Sequence, residues 1–445
     1  MRKRLRSLVI VTFVVAFAAP AFGQMAAPAQ GGSAAPAQAP QNLTLQEAEK
    51  IAIQNHPQIQ AAASLATAAE EQVKQTRSVY YPTATGSITG VEAENNSRIA
   101  AGALNNPVIY DRYANGVSVS QLVTDFGRTH ELVKSSSLHA QAQQENVVTT
   151  RADVLLNVDR AYFSVLKAQT LLRVAQETVS ERQLVVDQVN AEYKSQLKSG
   201  LDLSFANVDL QQAQLSLIQA QNDVQASLAE LSAALGYSDG RTFQLEEEAV
   251  PGEPPADLAG LIQQALRDRP ELVGQRLDVG SAQSYATAER DLWLPTISAA
   301  GAAGLTPFHQ DDALAPRYAA AGFNVNIPIF NGHLFGALRG EANAQERAQE
   351  QYLRDLQDRI VRDVRISWLN AKSAYQRLSV TRQLLEQAQK ALDLAQARYK
   401  LGLSSIVELS QAQLNETQAE IANASAKYDY QTQIADLNYQ IGAVR

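Results

Sequence analysis

Two acids occupy matching places in this sequence, and their setting suggests what they could do. Asp202 lies nine residues after Tyr193, and Glu408 lies nine residues after Tyr399, 206 residues further on. Both stand at the start of a helical pattern, where a carboxylate is favoured by the helix dipole by ~0.3–1 kcal/mol. Covalent or metal chemistry finds less support. His56, His130, His139, His309 and His333 are scattered without metal-ligand spacing. No nucleophile motif or phosphate-cradling loop is present. The chain has no cysteine, which removes disulfides, thiolate metal sites and a cysteine nucleophile. Asp311-Asp312 could ligate a cation but reads more simply as a pair of solvated loop acids. The expectation is a non-enzymatic protein with no cofactor and no metal.

The elements that must position these acids are long. Between Arg128 and Leu235 the only glycine is Gly200, between Glu341 and Ile441 the only one is Gly402, and neither window holds a proline. A glycine adopts the left-handed backbone a reversal needs and otherwise costs about 1 kcal/mol in a helix. Each window therefore reads as a long helical arm reversed once, at its glycine. The first arm, 128–195, would run about 100 Å at 1.5 Å per residue. Leu172, Ala175, Val179, Val186, Val189 and Tyr193 form a seam at three-and-four spacing, with Arg182 the one misfit. Leu203, Ala206, Leu210, Ala213, Leu217, Ala220 and Val224 continue it on the return. Such seams mean helices packed side by side.

Each arm is preceded by shorter patterns. Leu43 to Asn55 reads as a helix with Thr44 as N-cap and Pro57 as the stop, followed by a second helix from Gln58 to Ser78. Thr83 to Val91 has strand formers without a helical period, Glu94 to Pro107 reads as a polar loop, and Gly116 to Val123 alternates with period two. The order then repeats. Asp268-Arg269-Pro270 and Leu294-Pro295 answer Asn55-His56-Pro57 and Tyr81-Pro82 at an offset of 213, and Ile297 to Leu305 and Phe323 to Ile329 answer the two strands. Residues 43–240 and 257–445 are thus two copies of one unit: helix, strand, strand, long helix, turn, helix. Residues 241–256 link them.

The first 23 residues read as a secretory signal, with Arg2, Lys3, Arg4 and Arg6 ahead of a short apolar run, and 24–42 as an Ala/Pro/Gln-rich disordered spacer. The chain carries 38 basic and 46 acidic residues, a formal charge of −8. Loss of the leader's four basic residues makes it more acidic, which argues against nucleic acid as a partner. Four strands cannot close a barrel, which needs about eight or more, so closure would take several chains in a cyclic homo-oligomer.

The proline-led strands at Pro82 and Pro295, the turns Asp125-Phe126-Gly127 and Phe330-Asn331-Gly332, the tip from Tyr399 to Leu409, and Tyr428-Asp429-Tyr430 together resemble the TolC-family outer-membrane efflux proteins. The resemblance spans residues 43–445. It implies a mainly α fold with a small β part: a trimeric, twelve-stranded outer-membrane β-barrel continued by an α-helical barrel across the periplasm of a Gram-negative cell. Function would be that of a passive exit duct in a tripartite efflux or type I secretion system. Its partners would be outer-membrane lipid, a periplasmic adaptor (membrane fusion protein) and an inner-membrane pump. It also implies that Asp202 and Glu408 ring the periplasmic entrance and that Tyr399 belongs to the lock that keeps it shut. Ser404 stands where the best-known member has a locking arginine, Gln411 where it has a second ring acid, and Lys198 is the cation of the first copy that could substitute. The adaptor is expected on the exposed turns, at Leu197, Ser199, Gly200, Leu201, Gly402, Leu403, Ser405 and Ile406. Tyr80, Tyr81, Trp293 and Phe330 cluster where helix meets strand, as an interfacial aromatic belt or as junction packing. The alternative from another class is a soluble periplasmic coiled-coil scaffold without a membrane barrel.

Overall fold

The computed structural model describes residues 41–92, 112–309 and 315–444. The signal segment, the spacer up to residue 40, the loop Glu94–Pro107 and Asp311-Asp312 lie outside the described residues.

In chain order the elements are β1 (Gln41–Leu43), α1 (Leu45–Asn55), α2 (Pro57–Arg77), β2 (Thr83–Val91), β3 (Arg112–Thr124), α3 (Arg128–Lys194), α4 (Gly200–Ala234) and β4 (Phe243–Leu245). The second copy follows with α5 (Leu258–Asp268), α6 (Pro270–Arg290), β5 (Thr296–His309), β6 (Arg317–Asn326), α7 (Leu334–Lys400) and α8 (Ile406–Gln440). Local chemistry places the short starts. The Thr44 hydroxyl accepts from the Glu47 amide while the Glu47 carboxylate accepts from the Thr44 amide, a closed capping box. Pro57 and Pro270 each take the first helical position, where a missing N–H costs nothing. The two long helices, α3 and α7, have 67 residues each, and the two returning ones 35 each.

Each returning helix is half as long as its partner, and the fold fills the deficit by end-to-end stacking. A side chain at Gly236, just past α4, would meet the backbone of Asn55 and His56 at 3.1 Å, where α1 passes into α2. Gly442, just past α8, abuts Asp268 and Arg269 at the α5–α6 junction in the same way. Both have positive φ, so a residue without Cβ answers the turn and the close approach together. α3 thereby packs on α4 along one part and on α2 and α6 along another, while α7 packs on α8, α5 and α6.

β2, β3, β5 and β6 form one antiparallel sheet in that order. The register separates its faces. Ala84, Ile88, Val117, Val119, Ala303, Ile297, Phe323 and Val325 share one, and Thr83, Thr85, Ser118, Ser120, Ser298 and Asn324 the other. One face is apolar and the opposite face is hydroxyl- and amide-rich. Nearly every residue of β2 and all of β6 are exposed in the single chain. Among the described residues, no helix is long and apolar enough to cross a membrane.

Tyr318 lies across two glycines on the polar face. A Cβ at Gly304 would fall 2.3 Å from the Asn115 carbonyl oxygen and 2.4 Å from the Tyr318 hydroxyl. That carbonyl belongs to β3 beside its pairing with β5, so it cannot retreat without breaking the ladder. Gly304→Ala is therefore expected to lower the yield of folded, membrane-integrated protein severalfold. Gly86→Ala, where nothing lies within 4 Å, should leave the yield unchanged. Heat-modifiable migration on gels reads both.

The main core lies beside the middle of α3, where Val154, Val158, Tyr162, Val165 and Leu166 pack with Ala48, Ala52, Leu231, Leu235 and Phe243. Four expectations need correction. Gln41 and Asn42, expected as the end of the spacer, Leu43, expected to start a helix, and Phe243–Leu245, expected as linker, form β1 and β4, which pair over this core. The first arm reverses at Gln196 (φ 59), and Gly200 is already the first residue of α4. The last strand ends at Asn326, so Ile327 to Ile329 are not part of it. Tyr193 leaves the seam and is exposed, whereas the apparent misfit Arg182 is buried.

Candidate gate and docking surface at the helical tips

The two hairpin tips end their long helices with the same hydrogen bonds. Gln196 N–H donates to the Tyr193 carbonyl and Leu197 N–H to that of Glu192; Gly402 N–H and Leu403 N–H repeat this with Tyr399 and Arg398. This is the Schellman closure, which requires a left-handed residue at Gln196 (φ 59) and Gly402 (φ 72). The residue after such a closure usually packs its apolar side chain back on the helix. Here Leu197 is 75 % exposed and Leu403 65 %. Leu201, Leu401 and Val407 are exposed beside them.

Ser199 and Ser405 cap the returning helices. In the first tip Asp202 closes a capping box, its Oδ2 accepting from the Ser199 amide (3.0 Å) and hydroxyl (2.8 Å). Those bonds, with Lys198 nearby, hold the Asp202 carboxyl below the usual range. In the second tip the box stays open. Glu408 accepts from Arg398 Nε at 2.9 Å, and Arg398 also reaches the Leu403 carbonyl. Arg398 is thus the cation that engages Glu408, a position to which neither Ser404 nor Lys198 points. Its signal was its place in the last turn of one helix, opposite the first turn of the next.

Tyr399 is 5 % exposed, and its hydroxyl is buried without a hydrogen-bond partner. Burial foremost, then Glu192 and Asp202, push its phenol up to about 12. Lys198 Nζ lies 4.4 Å from the centre of the Tyr399 ring, a cation–π contact between the hairpins. Tyr399, Lys198 and Asp202 are therefore brought together, and Glu408 is engaged separately by Arg398. Beneath them Val186, Val189, Ala206 and Leu210 of the first hairpin pack with Leu392, Tyr399, Ile406 and Leu409 of the second. Ile406 is 3 % exposed, contrary to the expected surface position, because its side chain completes this cluster. Ser199, Gly200, Leu201, Gly402 and Ser405 are exposed as expected.

At the other end, Tyr80, Tyr81, Trp293 and Phe330 are all exposed near the helix-proximal edge of the sheet. Trp293 packs edge-on to Phe335 and Phe330 to His333.

The described chain can be set beside known proteins. It is 23 % identical to the outer membrane protein TolC of Salmonella enteritidis over 352 residues, 75 % of this chain and 71 % of that one. It is 24 % identical over 309 residues to the cobalt-zinc-cadmium resistance protein CzcC of Cupriavidus metallidurans, 66 % of this chain and 69 % of that one. The fold matches the MtrE outer membrane channel of Neisseria gonorrhoeae in its open state with a TM-score of 0.76, at 19 % identity, covering 89 % of this chain and 88 % of that one. The CmeC outer membrane channel of Campylobacter jejuni matches with a TM-score of 0.76 at 17 % identity, covering 89 % and 85 %. The profile of the outer membrane efflux proteins matches residues 50–237 and 261–443, one segment in each copy of the repeat. The chain therefore belongs to the outer membrane efflux protein family and is an outer-membrane protein built on its duplicated, mainly helical fold.

Proposed function

We propose that this chain is the passive exit duct of a tripartite efflux or type I secretion system, opened at its helical tips by a periplasmic adaptor and an inner-membrane pump. The observation that carries the reading is the sheet: one apolar face, one polar face, and unpaired edges at β2 and β6. A barrel wall needs apolar residues toward lipid opposite a wet lumen, and open edges call for further strands. Three chains supply twelve. α3 and α7, each ~100 Å long at 1.5 Å per residue, continue the wall into the periplasm. Tyr80, Tyr81, Trp293 and Phe330 then lie at the membrane interface. The adaptor docks on Leu197, Ser199, Gly200, Leu201, Gly402, Leu403 and Ser405, while Ile406 holds the tip from within. A soluble scaffold would have no use for a sheet with an apolar face left uncovered.

Asp202, Tyr399 and Lys198, with the Arg398–Glu408 pair, form the gate in this reading. Purified trimers in planar bilayers should give cation-selective channels that multivalent cations block. Asp202→Asn combined with Glu408→Gln should weaken both selectivity and block. The fold should hold, since each cap loses about 1 kcal/mol of dipole interaction and the Arg398–Glu408 pair, being exposed, adds about 0–1 kcal/mol. Absence of channels from the unaltered protein would favour the scaffold; channels whose selectivity the double variant leaves unchanged would reduce the acids to helix caps.

A further inference from the structure

The contact between the two hairpins runs along α3 and α8, and its chemistry changes on the way to the tip. Nearer the membrane the facing groups are matched: Asp153 accepts from the Tyr439 hydroxyl, Arg160 pairs with Asp436 at 2.7 Å, Lys167 pairs with Asp429 at 2.9 Å, and Thr170 meets Tyr428. At the tip the contact is the apolar cluster around Val189, Tyr399 and Leu409. Between these lies a layer where charges do not match. Glu177 and Glu181 on α3 bear on Glu416 and Glu420 on α8 across the contact. The buried cation of this layer is Arg182 of α3, 6 % exposed, whose Nη2 reaches the Thr417 hydroxyl at a long 3.5 Å and whose Nη1 is buried without a partner. Glu416 itself is 9 % exposed. Its burial is a consequence of its place on the inner face of α8, beside the buried Gln413 and Ala419.

Arg182 attracts Asp209, Glu181 and Glu416 and so offsets part of this negative charge, and the other nearby cations are engaged in exposed pairs. On α3, Arg173 lies 3.6 Å from Glu177 in an exposed pair. On α4, Asp209 accepts from the Ser410 hydroxyl at 2.6 Å and adds a further negative charge near Arg182. On α7, Lys390 and Glu386 bond to each other at the surface. Glu416 is the buried member of this set, so its repulsion with Glu420 and Glu181 is screened less than that among the exposed Glu177 and Glu181. Protonating Glu416 removes its share of that repulsion and leaves the pairs among Glu177, Glu181 and Glu420.

We propose that this layer is a proton-operated clasp between the hairpins: with Glu416 protonated, α8 stays docked on α3, and with Glu416 ionised the second hairpin separates more readily toward the open duct. The link to opening rests on the duct reading above; the docking equilibrium itself does not. Burial foremost, then Glu420 and Glu181, push Glu416 from its ordinary 4.5 up to about 7. A carboxyl with a raised pKa in the docked state binds its proton more tightly there than when separated. The docked form is therefore most favoured below the ordinary value, loses ground as pH rises from about 4.5 to about 7, and changes little beyond.

The cysteine-free chain allows the test to be made on the whole trimer. Spin labels at Gln183→Cys and Gln418→Cys, both exposed positions, in trimers carrying one labelled chain, report the α3–α8 separation. The separated population should rise by about tenfold or more between about pH 5 and about pH 8, most of it below neutrality, as linkage to one proton requires. Glu416→Gln should keep the short distance at both pH values, and Glu181→Gln should shrink the change. A wild-type distance distribution that does not move with pH would overturn the proposal, as would an undiminished shift in a folded Glu416→Gln trimer. A pH-dependent distance in a protein that forms no channel in bilayers would keep the clasp and overturn the duct.

Discussion

Gly402→Pro and Leu403→Asp are each expected to bring export down to the level of a strain lacking the protein, with the trimer still in the outer membrane. The two substitutions act by different routes. Gly402 has a φ of 72°, a value proline's ring cannot adopt, and its N–H donates to the Tyr399 carbonyl at 3.0 Å. Proline therefore removes the reversal itself and redirects Leu403, Ser405 and the start of α8. Leu403→Asp leaves the backbone alone. Its side chain is 65 % exposed and belongs to none of the buried clusters, so the protomer loses little packing. In the docking proposed above, a charge there would be buried against the adaptor without a partner, at roughly 1–3 kcal/mol or more. Export of a fluorescent substrate from whole cells gives the readout. Cross-linking of Leu403→Cys to the adaptor supplies the direct contact test in a chain with no other cysteine. Normal export by both variants would exclude the tips as the docking site.

The second large effect is expected far from the tip, at Tyr162. Its ring is fully buried on α3, and its hydroxyl lies 2.9 Å from the Leu43 carbonyl and 2.7 Å from that of Glu246. Burial pushes this phenol up to about 12, so it remains a donor throughout the physiological range. One side chain thus joins the strand leading into α1 to the strand that follows α4. Tyr162→Phe removes this donor, but the Leu43 carbonyl keeps the Glu246 amide at 3.2 Å, so the cost should be about 0.5–1.5 kcal/mol. Tyr162→Ala also opens a cavity beside Phe163 and Phe243 and should cost about 3–5 kcal/mol. Thermal unfolding in detergent, followed by helical circular dichroism, should rank wild type above Phe above Ala. Equal midpoints for all three would mean that the β1–β4 sheet is an ornament on a stack of helices.

Much of this architecture is legible in the sequence because its determinants are local. The Thr44–Glu47 box, the prolines at 57 and 270, the strand formers at 83–91 and the period-two run at 116–123 act within a few residues of themselves. The offset of 206 residues carries each tip feature onto its twin, Leu197 onto Leu403 and Asp202 onto Glu408. That same offset sets Gln196 against Gly402, so the left-handed position of the first tip was within reach. Glycine is favoured at such a position but not required, and in the first tip Gln196 takes it while Gly200 opens α4. Only the tertiary structure separates the twins. Tyr193 and Tyr399 share a motif, yet Tyr399 alone is buried, because α8 packs against α3 and the α7 tip is carried inward with it. Asp202 caps its own helix and Glu408 turns to Arg398, because Arg398 offers a charged partner where the first copy has Glu192. β1 and β4, three residues each, are too short to show a period and exist through pairing across some 200 residues of chain and through Tyr162. Arg182, a misfit in the linear seam, becomes intelligible only when α8 places Glu416 and Thr417 beside it. Capping and periodicity are settled within a turn or two of the chain, whereas burial, ion pairing and proton affinity depend on which distant helix arrives alongside.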